Sequence, residues 1–546
     1  MPLTLTSLFF SLFLTISLVP IFTRLAVRIH ALDTPGPRKV HTEPMPRMGG
    51  LAMALGMLIT VSLWVPKDGF VKAFLIGAII IIAFGVLDDI VGIGYKGKFL
   101  GQVIAAIIVI TYGRVQIITL GNLLPGNLCL TDWASFILTL LVVVGVTNAI
   151  NLSDGLDGLA GGICLLIFCC IGYLAYKAHM PFVTLLAVSM VGVIFGFLRF
   201  NTYPATIFMG DTGSQLLGFA GITLAIKLTQ ESLTLRPVLP LILFGFPILD
   251  TLAVMAQRIA DGRSPFQADK NHFHHKLIRL GFFHTEAVFI IYVIQSCLVL
   301  TALVFRGSSD RLLLCGYGLF SAAVLIFFHV TEKAGYQIKR YDYIDKVFKG
   351  KLRVLKEHGV LIRACFKVVE WGAPGLVILA AIIPQSIPRH VSLISLPFFV
   401  LAIVSCIWKS DWLPLAIRMS IYFLLPYLLY LNQTNPAQWV SPSFLKLYNI
   451  YLGALAVFLV LTLKFTRRQK GFKLSPMDFL IVFIVLVASL LPEQGLRSYH
   501  VGMLASKIIL LLFAYEVLIG ELRGELNRLG IINVIFVLTI ALRGIF

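Results

Sequence analysis

The stretch GVTNAINLSDGLDGLAGG, Gly145 to Gly162, lies between two apolar runs long enough to cross a bilayer. It carries Asn148, Asn151, Asp154 and Asp157, each three residues after the last. In one continuous helix a step of three turns each side chain by about 60°, so the set would drift over roughly half the circumference. Gly155 and Gly158 weaken such a helix. The better reading is a helix end, a glycine-containing turn and a new helix start. Asn148 and Asn151 then come from the first span, and Asp154 and Asp157 from the turn and the helix after it. Helix capping accounts for one such residue but not for four. Amides can read a base or a sugar, and carboxylates can accept from ribose hydroxyls or hold a cation.

The surroundings make these polar groups expensive. The chain has 546 residues, of which 58% are hydrophobic and only 13% charged. Soluble domains carry nearer a quarter of charged residues. Apolar stretches of spanning length recur from end to end, so the expected class is an all-α, polytopic integral membrane protein. About eleven spans precede residue 332 and about seven follow residue 365. The divisions expected are 1–331, a basic linker at 332–365, and 366–546. The N-terminal run has no basic leader and no small-residue cleavage site, so it is read as a first span.

The formal net charge of +19 points to the membrane surface and not to nucleic acid. Arg24 and Arg28 end the first span and place its far end in the cytoplasm. Counting on, the loops at 29–49, 88–98, 151–157, 199–212 and 258–284 share that side, as do 332–365 and 464–470. The eight Cys mostly sit in apolar runs and form no C-x-x-C pair, which favours packing over metal or redox work.

Four further loops on that side carry chemistry. Arg38, Lys39, His41 and Arg47 stand in a Pro- and Gly-broken loop and can meet phosphate. Asp88 and Asp89 end a span, where adjacent carboxylates need a shared cation or proton. Just after them Gly92, Gly97 and Lys98 imitate a P-loop. The next residue is Phe99 where Ser or Thr is required, and a membrane helix precedes in place of a strand. Lys98 remains a point charge for phosphate. Asp211, framed by small residues, suits Mg²⁺ completed by water and phosphate oxygens, and Phe208 either stacks on a base or packs. His272, His274 and His275 cluster with Arg263, Asp269 and Lys270. Their spacing lacks the usual zinc patterns, and so many cations favour an anion site. Arg418 and Lys507, far along the chain, read as isolated charges that snorkel or pack.

This inventory suits metal-assisted phosphoryl transfer, in which positioning and charge neutralisation dominate. The motifs RKVH…P…GG, DD…K…Q (Asp88, Asp89, Lys98, Gln102), NAINLSDGLDGLAGG, FN…PA…FMGDTGS and P…D…R…GRSPFQADKNHFHH occur in one order within about residues 1–331. In this the chain resembles the polyprenyl-phosphate N-acetylhexosamine-1-phosphate transferases, glycosyltransferase family 4. The His-x-His-His form resembles the branch that uses GlcNAc-1-phosphate.

The resemblance implies transfer of GlcNAc-1-phosphate from a UDP-sugar to undecaprenyl phosphate, with UMP released and a cell-envelope polysaccharide begun. It implies Mg²⁺, for which Mn²⁺ can substitute, held by Asp211. Asp88, Asp89 and Lys98 would serve the acceptor and the catalytic step. Asn151, Asp154, Asp157, Asn201 and Phe208 would line the nucleotide-sugar site, and His272, His274 and His275 would meet the pyrophosphate or sugar. The implied location is the inner membrane with the site facing the cytoplasm; a homodimer is left open, as is a one-step against a two-step route. A transporter or lipid flippase without chemistry is the rival. It would set charges at the midplane in repeats, whereas here they gather at one side and no repeat is visible. Residues 366–546 lie outside the resemblance.

Overall fold

The computed structural model describes residues 3–34, 44–125, 128–232, 234–264, 271–337, 360–408, 412–465, 501–522 and 526–545. Helices make up most of the described chain, with one two-residue ribbon and two isolated bridges beside them, which makes it an all-α membrane protein. Among the described residues, twelve helices are long and apolar enough to cross a bilayer. Part of the C-terminal span expectation falls on 466–500, outside the described residues. The described chain divides into two compact units, residues 3–337 and 360–545. Both edges of the expected basic linker are helical, since one helix runs into it to Lys333 and another begins in it at Val360.

In the first unit α1 is Leu3–Arg28, α2 Gly49–Trp64, α3 Gly69–Val91, α4 Gly94–Thr111, α5 Asp132–Leu152, α6 Leu159–Lys177 and α7 Pro181–Asn201. They are followed by α8 Gly210–Glu231, α9 Leu239–Leu243, α10 Gly245–Ala260, α11 Phe273–Arg279, α12 His284–Val304 and α13 Asp310–Lys333. Strands β1, Leu32–Asp33, and β2, Met45–Pro46, pair antiparallel with Leu32 opposite Pro46. Hydroxyls inside the spans donate to their own helix, as Thr139 does to the Ser135 carbonyl at 2.6 Å and Thr147 to Val143 at 2.7 Å. Each thereby satisfies a group that lipid cannot. Between α9 and α10 the helix breaks. The freed carbonyls of Leu243 and Gly245 accept from the Gln295 amide at 2.7 Å and the Tyr317 hydroxyl at 2.8 Å.

α8 is the central helix, packed by α2, α3, α5, α6 and α7. Its sequence, GDTGSQLLGFAGITLAIKLTQE, is too polar to rank with the apolar spans, yet nearly all of it is buried. Protein surrounds it, so Thr, Ser and Gln find no lipid to offend. Small residues set how close its neighbours come. A Cβ on Gly50 would lie 2.2 Å from the Gly213 amide, and one on Gly85 would lie 2.5 Å from the Thr212 Cα. α2 and α3 therefore meet the start of α8 backbone to backbone, which fixes where the ends of all three helices stand.

In the second unit α14 is Val360–Ile382, α15 Arg389–Ile407, α16 Leu413–Thr434, α17 Pro442–Phe465, α18 Val501–Glu521 and α19 Asn527–Ile545. A single apolar core runs through it, including Leu424, Leu428, Leu511 and Phe536. Arg418 is not isolated, contrary to the sequence reading. Its guanidinium donates from Nε and Nη2 to Glu516 at 2.8 and 3.0 Å. The partner sits on another helix 98 residues away, which no local pattern reveals.

Candidate active site

The ends of α3 and α5 and the starts of α4 and α8 come together at one end of the first unit. Asp88 and Asp89 close α3, which stops at Gly92 in the left-handed region, φ 73°. That turn sends the chain straight into α4, so Lys98 returns over the carboxylates. Its Nζ lies 2.8 Å from Asp88 Oδ2 and 2.8 Å from Asp211 Oδ2. The cation that answers Asp88 is therefore a side chain of the first turns of α4, and it is shared with Asp211 and not with the adjacent Asp89. Asp211 also accepts from Asn151 Nδ2, which in turn donates to the Ser214 hydroxyl at 2.8 Å. One turn deeper, Gln102 donates to Gln215 at 3.1 Å, continuing the polar track between α4 and α8.

Asp89 is spent differently. It accepts from the backbone N–H groups of Asp211 at 2.8 Å and Thr212 at 3.1 Å, and from the Thr212 hydroxyl at 2.6 Å. It thus satisfies orphan donors at the start of α8 and complements that helix dipole. The two neighbouring carboxylates have separate jobs: Asp88 faces Lys98, and Asp89 anchors α8.

The Gly145–Gly162 stretch is built as the sequence predicts. α5 ends at Leu152, a turn follows, and α6 starts after Gly158 at φ 78°. Asn148 and Asn151 lie on α5; Asp154 and Asp157 both lie in the turn. Asp157 accepts from the Ala205 N–H at 3.0 Å and donates its own N–H to His284 Nε2 at 3.0 Å. The buried Asn201 accepts from the Gly158 N–H at 3.0 Å and donates to the Ile207 carbonyl at 2.9 Å. Both residues brace the turn against the 202–209 loop, which leaves Asp154 as the turn's half-buried carboxyl. Burial pushes its pKa up to about 7, helped by Asp211, Asp157 and Asp89 and opposed by Arg47. At neutral pH it can both donate and accept.

Arg47 reaches this side from β2, ion-paired to Asp33. Its strand is tied to the Asp211 loop: the Phe208 N–H donates to the Pro46 carbonyl at 2.8 Å, and the Gly49 N–H to Phe208 at 3.0 Å. Phe208 is half-buried beside that ribbon. Arg38, Lys39 and His41, with Asp269 and Lys270, lie outside the described residues. Arg263 pairs with Asp261 at the exposed end of α10.

The histidines divide too. His272 Nδ1 lies 2.9 Å from Asp250 Oδ2, and the other Asp250 oxygen accepts the Phe273 N–H at 2.7 Å. The carboxylate favours the proton on Nδ1, which leaves Nε2 as the accepting ring nitrogen. His274 fills the space beside Gly155, where a Cβ would meet its Nε2 at 2.3 Å. Burial, then His275, His272 and His284, holds its imidazole well below the usual range, so it is neutral at pH 7. His275 tilts against it at 4.2 Å between ring centroids. The sequence reading quoted Asp250, Thr212 and Ser214 inside motifs without giving them a role, and it passed over His284. A lone carboxylate within GFPILDTLAV marks Asp250 as costly in an apolar run; His284 carries no local signal.

Asp88 and Asp211 aim two hard oxygens at the position that the Lys98 ammonium fills, so a metal ion held by the same oxygens would need Lys98 to turn toward the phosphates. That donor chemistry fits Mg²⁺, which takes one or two carboxylates and completes its shell with water and phosphate. Among the described residues, no three His, Cys, Asp or Glu converge as an all-protein metal cage.

The model for glycosyl transferase family 4 matches residues 71–229. A probable undecaprenyl-phosphate N-acetylglucosaminyl 1-phosphate transferase of Bacillus subtilis is 35% identical over 343 residues, 62% of this chain and 94% of the relative. The chain belongs to glycosyl transferase family 4. A decaprenyl-phosphate N-acetylglucosaminephosphotransferase of Mycolicibacterium smegmatis is 36% identical, covering 49% of this chain and 74% of its own length. The undecaprenyl-phosphate alpha-N-acetylglucosaminyl 1-phosphate transferase of Escherichia coli K12 is 29% identical over 53% of this chain and 80% of the relative. The family 4 match spans α3 to α8 and so contains Asp88, Asp89, Lys98, Asn151, Asp154, Asp157 and Asp211.

Proposed function

We propose that this family 4 protein transfers N-acetylglucosamine-1-phosphate from UDP-GlcNAc to undecaprenyl phosphate at the cytoplasmic face of the inner membrane, beginning a cell-envelope polysaccharide. The observation that carries the reading is Lys98 held between Asp88 and Asp211 at the rim of the bundle. The relatives' names supply the sugar and the lipid.

An oxygen of the lipid phosphate attacks the β-phosphorus of the donor. The new P–O bond forms as the bond to the bridging oxygen breaks, and UMP leaves with that electron pair. Asp88 takes up or orients the proton of an acceptor phosphate that arrives protonated. Lys98 offsets charge on the phosphoryl oxygens as a point cation. Asp211, with Asp88 beside it, would hold Mg²⁺, which when bound neutralises diphosphate charge. Asn151 fixes the Asp211 carboxylate. Asp154, Asn148 and Phe208 face the nucleotide sugar, and His272 offers Nε2 to the anionic or sugar side. Asp89, Asp157, Asn201 and His274 keep these groups in place.

The test is purified full-length protein with labelled undecaprenyl phosphate and UDP-GlcNAc. The expected products are the lipid diphosphate sugar, identified by mass, and UMP. UDP as the sole nucleotide product would mean ordinary glycosyl transfer and would overturn the reading.

A further inference from the structure

The short helix α11 cannot hold its own place. It has seven residues, Phe273–Arg279, and isolated helices shorter than about 12 residues are marginal in water. Packing must therefore set its position. Its inner face is Phe273 and Leu277, four residues apart and 1% and 3% exposed. Phe273 is also the residue that separates His272 from His274.

Phe273 is seated between two helices. Its ring stacks on Phe328 of α13, with centroids 4.7 Å and planes 12° apart. It leans on Phe246 of α10 at 5.8 Å, with planes 55° apart. All three rings are buried. The Phe273 N–H goes to the Asp250 carboxylate that also takes His272 Nδ1. α10 thus fixes the backbone where α11 begins, and α13 closes over the Phe273 ring.

α13 buries little besides this contact. Along its 24 residues the buried side chains are Asp310, Leu313 and Phe328, and the first two lie in its first turn. Glu332 follows Phe328 by one turn on the same face. It reaches Lys276 at 3.3 Å and Arg279 at 3.4 Å, both on α11. Lys276 also lies over the Phe328 ring, 5.8 Å from its centroid. Glu332 is 43% exposed, so its ion pairs are weak, and the buried rings carry the join between α11 and α13.

We propose that Phe328 is a positioning residue for His272. The α13 ring holds Phe273, and Phe273 together with Asp250 holds the imidazole beside it. This rests on the reading above, in which His272 offers Nε2 to the anionic or sugar side of the donor. Phe328 touches neither substrate and acts only through α11. A shift of about 1 Å in a group that meets substrate is enough to cost a large factor in rate.

The experiment uses the full chain in detergent, as wild type, Phe328→Ala, His272→Asn and the double variant, each checked by size-exclusion. His272→Asn keeps an N–H toward Asp250 and lacks Nε2. Hydrogen exchange reads α11 directly, with no substrate present. Phe328→Ala should speed exchange across residues 274–280 at least about tenfold and leave α3, α5 and α8 as in wild type. The initial rate of lipid diphosphate sugar formation should fall at least about tenfold in Phe328→Ala. That loss should shrink in the His272→Asn background, because the atom being positioned is already gone. A residue that only supports the fold loses as much in both backgrounds. Where Phe328→Ala does not fold, Phe328→Leu carries the same comparison at about threefold. A wild type that makes no lipid diphosphate sugar refutes the functional reading, and exchange at α11 still decides whether α13 holds it. A folded variant with α11 exchange or transfer rate as in wild type, or a rate loss of equal size in both backgrounds, overturns the proposal.

Discussion

Replacing Lys98 by Met removes the ammonium that Asp88 and Asp211 share and keeps most of the aliphatic stem. Each carboxylate oxygen lies 2.8 Å from Nζ, so the two stand no more than about 5.6 Å apart. At an effective dielectric of about 20, two unit charges at that distance repel by about 3 kcal/mol. The three side chains are mostly shielded, with Lys98 25%, Asp88 8% and Asp211 19% exposed, so water screens little of this. Holding both carboxylates in their working positions then costs about 3 kcal/mol, which is roughly a 10²-fold loss of rate. The assay is the initial rate of lipid diphosphate sugar formation by protein that elutes as wild type does. Lys98→Arg, which keeps the charge and alters its shape, should lose less. A folded Lys98→Met within about threefold of wild type would show that the cluster is not part of the chemistry.

Asp211→Asn keeps shape and removes charge, and transfer should fall at least about 10²-fold in the same assay. Asp154 has its pKa raised from 3.8 to about 7, so the unfolded chain ionises it before the folded protein does. Its contribution to stability is present below about pH 4, is lost as pH rises toward 7, and changes no further above that; thermal midpoints for Asp154→Asn should fall less than wild type over that window. Gly50→Ala places a methyl 2.2 Å from the Gly213 amide and pushes α2 off α8, so activity should drop at least about tenfold while helix content by circular dichroism holds. A chain ended near residue 345 keeps every loop of the candidate site, and should insert and transfer sugar phosphate; a folded truncation without activity would show that the second unit completes the site.

Much of this was legible because charge in an apolar chain is costly and must be justified. Asp88, Asp89, Lys98 and Asp211 stood out on that ground, Asn151 as a polar group among apolar ones, and parts of all five polar loops meet in the described structure. Hydropathy also gave most of the spans. The count includes α8 although it is polar for a span, since a helix wrapped by protein answers to its neighbours and not to lipid. Pairing was not legible. Lys98 and Asp211 are 113 residues apart, and nothing local says that Asp88 takes Lys98 while Asp89 takes the amides of α8. The same holds for Asp250 and His272, and for Arg418 and Glu516. Asn201 and Asp157 look like ligand-readers in sequence, yet their described contacts brace a turn.

The bond from Asp89 to the start of α8 has a mechanical consequence. Helix starts commonly serve as phosphate cradles, but here a resident anion already fills that seat. Incoming phosphates must be met by side chains, where a single substitution can retune preference. The same bond couples the last turn of α3 to the first turn of α8, so Asp88 and Asp211 travel as one block. Any closure over substrate must then come from parts that approach this block, while its two carboxylates keep a constant separation through the cycle.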